Sequence, residues 1–181
     1  NITTIKRAES LLRIFAESTA RNTGPTFFQS LVTQLAAGLR AEHVYIGEAL
    51  PSCPGRIRTI AFCENGKIQE NFEYDVHGTP CEHIKDDLYC LYPTNITQHF
   101  PNSRHLIEWK ANGCAGVRLL SSDGTAIGEL VVATSKPLPD DEHIRSVLEL
   151  CGMRAGTEIE RERTALALQE NESHFRRLLS S

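Results

Sequence analysis

Hydrophobic and polar residues alternate along much of the chain in a pattern that predicts paired β-strands. Two β-rich runs, residues 114–121 and 125–135, are separated by Ser122-Asp123-Gly124. Asp-Gly tolerates the positive φ angles that a tight turn requires, so these runs predict a β-hairpin. Gly128 inside the second run predicts a bulge or a close approach of two backbones.

Three earlier segments also have strand character, namely residues 43–50, 57–64 and 67–74. The last two flank Asn65-Gly66, another strong hairpin dipeptide. Strict alternation over residues 67–74 predicts a strand with one buried face and one face open to solvent. The chain therefore predicts an antiparallel sheet of five to six strands.

Helical patterns flank these strands. A narrow apolar stripe over residues 3–20 and a broad apolar face over residues 25–39 predict two helices before the sheet. The acidic turn at residues 140–142 predicts the start of a long helix over residues 141–170. Helices before and after an antiparallel sheet are typical of an α+β fold.

The first and last helices carry apolar positions spaced three and four residues apart. Such a stripe packs either on its own domain or as a seam against a partner helix. We expect the second arrangement, a homodimer through the terminal helices. The predicted seam residues are Ile5, Leu12 and Phe15 in the first helix and Ile144, Leu148, Cys151 and Ala155 in the last.

A long irregular segment spans residues 75–112. It predicts two short helices, one starting near Pro80 and one over residues 103–110. Long connections in compact domains are commonly binding loops or lids. We therefore expect this segment to cover a small-molecule pocket on the sheet face opposite the terminal helices.

Composition narrows the class of protein. The chain has 181 residues, 40% of them hydrophobic, with a formal net charge of −4, which predicts one domain with a real core and gives no basic surface for nucleic acid. No apolar run approaches the roughly 20 residues of a membrane span, and the start lacks the apolar stretch of a signal peptide. The six cysteines are scattered, which favours reduced thiols and a cytoplasmic location.

Two kinds of thiol chemistry compete with ordinary packing. Cysteine and histidine side chains of the irregular segment are potential zinc ligands, but their spacing matches no finger or ribbon, so we assign no metal. Cys81 near a helix start would have a favoured thiolate, with Cys90 as a resolving partner. The alternative is that both are small packed hydrophobes. No catalytic triad or phosphate loop is present in the sequence, and we assign no catalytic residue.

Several short phrases together support a family resemblance. They are Gly78-Thr79-Pro80-Cys81-Glu82, Tyr92-Pro93, Phe100-Pro101, Gly116-Val117-Arg118-Leu119 and Asp123-Gly124 followed by Ile127-Gly128. Over residues 3–163 the chain resembles a bacterial sensory GAF domain. The resemblance implies an antiparallel sheet of five to six strands, with the terminal helices on one face and a loop-rich ligand pocket on the other.

The resemblance also implies where a ligand would bind. The expected ligand-binding residues are Cys81, His83, Cys90, Tyr92, His99, Phe100, Cys114 and Arg118. Arg118 stands where such domains usually have proline, which would place a cation at the pocket edge. Neither Cys81 nor Cys114 has the sequence context of a bilin attachment site. The ordered signature of cyclic-nucleotide GAF domains is absent and haem has no distinguishing motif, so the cofactor stays unknown.

The C-terminal residues resemble the start of a PAS domain, through Glu172-Ser173-His174-Phe175-Arg176-Arg177-Leu178. We therefore expect a GAF sensor domain over residues 1–163, and a helical linker with the beginning of a PAS domain over residues 164–181. The implied function is a non-enzymatic input module that binds a small ligand or senses redox state. It would signal through its terminal helix to a downstream PAS or output domain, such as a two-component kinase or a cyclic-dinucleotide enzyme. The alternatives are a thiol enzyme of the free methionine sulfoxide reductase type and a purely structural dimerisation spacer.

Overall fold

The structure is a computed structural model that describes residues 23–84 and 88–181, together with Lys6, Glu9 and Arg13. The helix predicted over residues 3–20 lies outside the described residues. The same is true of its three predicted seam residues, Ile5, Leu12 and Phe15.

A seven-stranded antiparallel sheet forms the centre of the domain. Its strands are β1 (His43–Ala49), β2 (Arg56–Glu64), β3 (Lys67–Gln69), β4 (Glu73–Asp75), β5 (Tyr89–Tyr92), β6 (Gly113–Leu120) and β7 (Ala126–Thr134). They lie in the order β3-β2-β1-β7-β6-β5, and β4 also pairs with β2. The predicted α+β fold with an antiparallel sheet is confirmed.

Both predicted hairpins form, and their turns have the expected backbone geometry. Asn65 and Gly66 have φ angles of 50° and 81°, which suits the tight turn that matches strand twist. Gly124 has a φ angle of 84°, and the Ser121 N–H donates to the Thr125 carbonyl at 2.9 Å. Residues that accept positive φ therefore set both strand registers.

Gly128 marks a close approach of β1 and β7. Glu48 pairs with Gly128 in the register of these strands. A Cβ atom at Gly128 would collide with the carbonyl oxygen of Gly47. Because glycine has no side chain, the backbones of β1 and β7 can approach closely at this position, as the sequence predicted.

The strand predicted over residues 67–74 is divided into β3 and β4. Between them, the Thr59 N–H donates to the Phe72 carbonyl at 2.9 Å, but the Phe72 N–H donates to the Thr59 hydroxyl at 2.9 Å. The prediction of one continuous strand is wrong because a side-chain oxygen replaces the backbone acceptor at this point.

The irregular segment contains more structure than its sequence predicted. A 3-10 helix (Pro80–His83) and an α-helix (Arg104–Glu108) confirm the two short helices. Strand β5 and a helix over Ile96–His99 were not predicted. The helices at Ile96–His99 and Arg104–Glu108 are named α2 and α3. Runs of four residues are too short to show a clear period.

Within the described residues, one face of the sheet is covered by two helices, α1 (Gly24–Leu39) and α4 (Glu142–Leu179). Helix α1 begins with a proline in its first turn and buries one broad face, as predicted. The four predicted seam residues of the last helix, Ile144, Leu148, Cys151 and Ala155, are all buried in the core beneath these helices. That stripe packs on the domain's own sheet, so it is not a surface open to a second copy.

Helix α4 continues past the domain. Every residue from 164 to 181 is exposed. The exposed apolar side chains of this extension are Leu166, Leu168, Phe175, Leu178 and Leu179. Within the described part of the chain, no helix combines the length and apolar character needed to cross a membrane.

Candidate functional site

The sheet face turned away from α1 and α4 builds the floor of a cavity. Tyr45 of β1 pairs with Phe62 of β2 and with Val131 of β7. All three side chains belong to a second hydrophobic cluster, separate from the core under the helices. Since side chains alternate along a strand, the same strands that close the helical core also supply this opposite face.

Residues from β4, the 3-10 helix and α3 cover this floor and enclose a cavity of about 320 Å³. Its aromatic walls are formed by Tyr45, Phe72, Tyr74, His105 and Trp109. Cys81, Cys114 and Val131 also line the cavity. The cavity lies within the size range of small-molecule sites.

The aromatic rings are held at defined angles. The Tyr45 and Phe72 ring centroids are 5.6 Å apart with planes at 69°, and those of Phe72 and Trp109 are 6.0 Å apart at 71°. His105 stacks on Phe72 with ring centroids 4.2 Å apart. Edge-to-face and offset-stacked pairs are the favoured aromatic contacts, so the walls hold one another in place.

The Trp109 ring also packs against a histidine of strand β1. This ring stacks on His43 with a centroid distance of 4.4 Å and planes 13° apart. His43 Nε2 lies 2.9 Å from a carboxylate oxygen of Glu64. Burial lowers the pKa of His43, so near neutral pH the uncharged imidazole forms this stack. The tryptophan wall is therefore fixed to the sheet.

Two tyrosine hydroxyl groups form a hydrogen bond within the cavity wall. The Tyr45 hydroxyl donates to the Tyr74 hydroxyl at 2.9 Å. The Tyr74 oxygen lies 3.9 Å from the Cys81 sulfur. Burial raises the pKa of Tyr45 well above its ordinary value, so this hydroxyl stays protonated. The otherwise apolar wall thus contains a small hydrogen-bonding group.

The thiols near the cavity are protonated. Burial raises the pKa of Cys81 to about 11 and that of Cys90 to about 12. Burial also raises the pKa of Cys114 well above its ordinary value. The predicted favoured thiolate at Cys81 is therefore wrong, because desolvation outweighs the effect of a helix start of only four residues.

Comparison with protein-family models found no match, and comparison with curated proteins also found none. Solved structures do match. The GAF domain of a phosphoenolpyruvate-protein phosphotransferase from Acinetobacter aligns with a TM-score of 0.68 and 15% identity, over 88% of this chain and 96% of that one. The corresponding domain from Coxiella burnetii gives 0.67 and 16%, over 90% and 98%. The nlh2 GAF domain from A. aeolicus, in an inactive state, gives 0.64 and 12%, over 88% and 98%.

The chain has the fold of a GAF domain. Within this GAF fold, two of the eight expected ligand-binding residues, Cys81 and Cys114, line the cavity. Cys90 lies on β5 opposite Gly116. Arg118 donates to the Cys81 carbonyl at 3.4 Å, so it ties the 3-10 helix to the sheet, and it is not among the residues that line the cavity.

The other four expected residues form a group of packed rings, of which Phe100 belongs to the same hydrophobic cluster as the cavity floor. The Tyr92 and Phe100 ring centroids are 5.3 Å apart with perpendicular planes. His83 lies 5.6 Å from Phe100 and His99 lies 5.7 Å from Tyr92, measured between ring centroids. These rings pack on one another and do not line the cavity. Their contacts support a packing role.

The sequence pattern did not reveal the aromatic walls of the cavity. Phe72 and Tyr74 share one face of the predicted strand over residues 67–74, and that alternation was a usable signal. Tyr45 lies in a predicted strand and Trp109 in a predicted short helix, but their convergence depends on tertiary structure. Over the described residues, no three His, Cys, Asp or Glu side chains are grouped to hold a metal ion.

A second, more apolar groove of about 520 Å³ runs between α4 and the end of β6. Leu88, Leu120 and Met153 contribute to it. Met153 is 70% exposed, so this groove is bordered by an adaptable type of side chain at the surface. The aromatic cavity, with fixed walls and internal hydroxyls, has the features of a binding site.

Proposed function

We propose that this domain is a sensory module that binds a small molecule in the aromatic cavity and signals its occupancy through α4. The observation that carries the proposal is the cavity itself, which has interlocked aromatic walls and a buried pair of tyrosine hydroxyls. Its place opposite α1 and α4 supports a division between a ligand face and an output face. The GAF fold supports the same division.

The floor strands of the cavity are linked to α4. Arg163 of α4 donates to the Ala49 carbonyl at the end of β1 at 2.9 Å, and also to Glu48 at 3.4 Å. At the end of β6, a Cβ on Gly156 of α4 would lie 2.7 Å from the Leu120 carbonyl oxygen. Such tight contacts would convert a shift of β1 or β6 into a movement of the helix. The relay requires two discrete arrangements of α4.

We propose the wider organisation from the same helix. Residues 1–163 form the sensor, and residues 164–181 form a helical linker and the beginning of a PAS domain. The exposed apolar side chains of the linker would mediate a homodimer and would couple the sensor to a downstream output domain in the same chain. We place this protein in the cytoplasm.

Redox sensing and sulfoxide reduction receive less support. Both would need a reactive thiolate, whereas burial raises the pKa of Cys81 to about 11. A protonated thiol is a poor nucleophile. We therefore interpret the cavity cysteines as packing residues of a binding site.

Mass spectrometry of freshly purified protein tests the proposal. We expect native spectra to show a mass excess that disappears on denaturation. The variant Tyr74→Leu should reduce the occupied fraction, whereas Tyr89→Leu, outside the cavity, should not. An unoccupied dimer in every preparation would contradict the binding proposal and would favour a structural spacer.

A further inference from the structure

The cavity presents flat surfaces in two orientations. The Tyr45 and Tyr74 ring planes meet at 80° with centroids 5.8 Å apart, and Phe72 meets Trp109 at 71°. A planar ring placed among them can stack on one wall while it meets the edge of another. Each such pair adds about 1 kcal/mol beyond the buried area. A puckered aliphatic ring can make neither contact.

The volume limits the size of this ring. An apolar cavity of about 150 Å³ holds one benzene molecule. The cavity of about 320 Å³ therefore suits one or two fused rings with a small substituent. A large tetrapyrrole would not fit without movement of the roof.

The charges lie at the mouth of the cavity. The charged lining residues are Glu73, Asp75 and Arg104, and all three are exposed. Glu73 accepts from Arg56 at 3.3 Å, whereas Arg104 donates to a partner on its own helix at 2.8 Å.

The deeper, described part of the cavity wall is uncharged. Burial lowers the pKa of His105, which leaves it neutral at pH 7. Among the described lining residues, none that is buried carries a charge. A charged ligand group placed at this depth would lose its hydration without compensation, at a cost of several kcal/mol.

The pair of tyrosine hydroxyls provides a buried hydrogen-bonding anchor. The Tyr74 hydroxyl accepts from Tyr45 at 2.9 Å, so its own proton is directed either to the Cys81 sulfur or into the cavity. A thiol sulfur 3.9 Å away is a weak acceptor. A ligand oxygen or nitrogen would be a better partner for this proton.

We propose that the cavity selects an uncharged, planar aromatic molecule of one or two rings that carries a hydrogen-bond acceptor for Tyr74. This inference rests on the proposed function and adds the chemical class of the ligand. The interlocked aromatic walls select the flat ring. Because every charged lining residue lies at the mouth, the deeper part of the cavity favours a neutral molecule.

The fluorescence of Trp109 provides an assay for ligand binding in the cavity. Trp109 is the single tryptophan of the chain, and it lines the cavity. Its emission is followed during titration of the full chain with p-cresol, 4-methylcyclohexanol and 4-hydroxybenzoate, which share size but differ in planarity or charge. We expect saturable quenching by p-cresol. 4-Methylcyclohexanol should bind about tenfold more weakly, which corresponds to the loss of one to two aromatic contacts. 4-Hydroxybenzoate should bind about a hundredfold more weakly or worse, which corresponds to a cost of several kcal/mol for a buried charge.

Matched variants test whether p-cresol binds in the aromatic cavity. By calorimetry, Phe72→Leu should weaken p-cresol binding by about tenfold, whereas Phe175→Leu on the exposed end of α4 should leave it unchanged. Tyr74→Phe should weaken p-cresol about fivefold and leave toluene, which lacks the acceptor, unaffected. Circular dichroism confirms that each variant is folded.

Two results would overturn the inference. Equal or tighter binding of 4-methylcyclohexanol or 4-hydroxybenzoate, with sensitivity to Phe72→Leu, would refute the ligand class but leave the cavity as a binding site. Absence of saturable binding by all three probes would also refute the ligand class. The proposed function would then fail only if native mass spectrometry likewise showed an unoccupied protein.

Discussion

Replacing Glu129 by glutamine should stabilise the protein in a pH-dependent way. Glu129 lies on β7, two residues before Val131 of the cavity floor, and is only 4% exposed. Its Oε1 atom is buried and has no hydrogen-bond partner among the described residues. Burial raises the pKa of Glu129 from 4.5 to about 8. The folded protein therefore prefers the protonated side chain at neutral pH.

The size of the effect follows from this shift. Each pKa unit corresponds to about 1.4 kcal/mol. Because the folded pKa of Glu129 is raised, folding is not penalised below the unfolded value of 4.5, and the penalty grows until pH passes about 8. Between pH 5 and pH 9 Glu129 alone should reduce the free energy of unfolding by roughly 4 kcal/mol. Glutamine has nearly the same shape and does not ionise.

Urea denaturation at pH 5, 7 and 9, followed by Trp109 emission and circular dichroism, measures this difference. We expect Glu129→Gln to match the unmodified protein within about 1 kcal/mol at pH 5 and to exceed its stability by roughly 4 kcal/mol at pH 9. Glu70→Gln at an exposed position is the control and should change little at any pH. A stability difference that is the same at pH 5 and pH 9 would refute the reasoning.

Three further predictions concern packing and thiol reactivity. Gly128→Ala should lower stability by about 2 kcal/mol, seen as a lower thermal midpoint, because its Cβ would collide with the backbone of β1; an unchanged midpoint would contradict this. Glu158, 1% exposed, accepts from the first N–H of α1. Glu158→Ala should therefore cost about 2 kcal/mol at pH 7, far more than Glu162→Ala in the same urea assay. The hydrogen bond from an arginine of its own helix lowers the pKa of Glu158, so its contribution should disappear as the pH falls through the acid range. Iodoacetamide should modify exposed Cys53 long before buried Cys81, and equal rates in peptide mapping would revive the thiol-enzyme alternative.

Local sequence signals predicted much of the sheet. Asn65-Gly66 and Asp123-Gly124 specify turns through their own backbone preferences, so no distant residue is needed to recognise them. The requirement for glycine at position 128 was also visible, because glycine weakens a strand interior and commonly marks a bulge or a close backbone approach there. Helix α1 was predicted by a broad apolar face that any sheet would bury.

The candidate site was harder to predict. The direction of the pKa shift of Cys81 depends on burial by distant residues, and the nearby helix start suggested the opposite. The stripe of Ile144 and Leu148 has the spacing of a dimer seam, but a sheet buries it equally well. The cavity walls come from separate parts of the chain, and the contact between Tyr45 and Trp109 follows only from the complete topology.

Hydrogen–deuterium exchange of the full chain, with and without saturating p-cresol, tests the central claim that small molecules bind in the aromatic cavity and affect α4. We expect slower exchange in residues 72–84 and 102–112, which surround the cavity, and a changed rate in residues 152–163 of α4. Slower exchange confined to residues 117–122 and 149–160, which border the second groove, would contradict the claim.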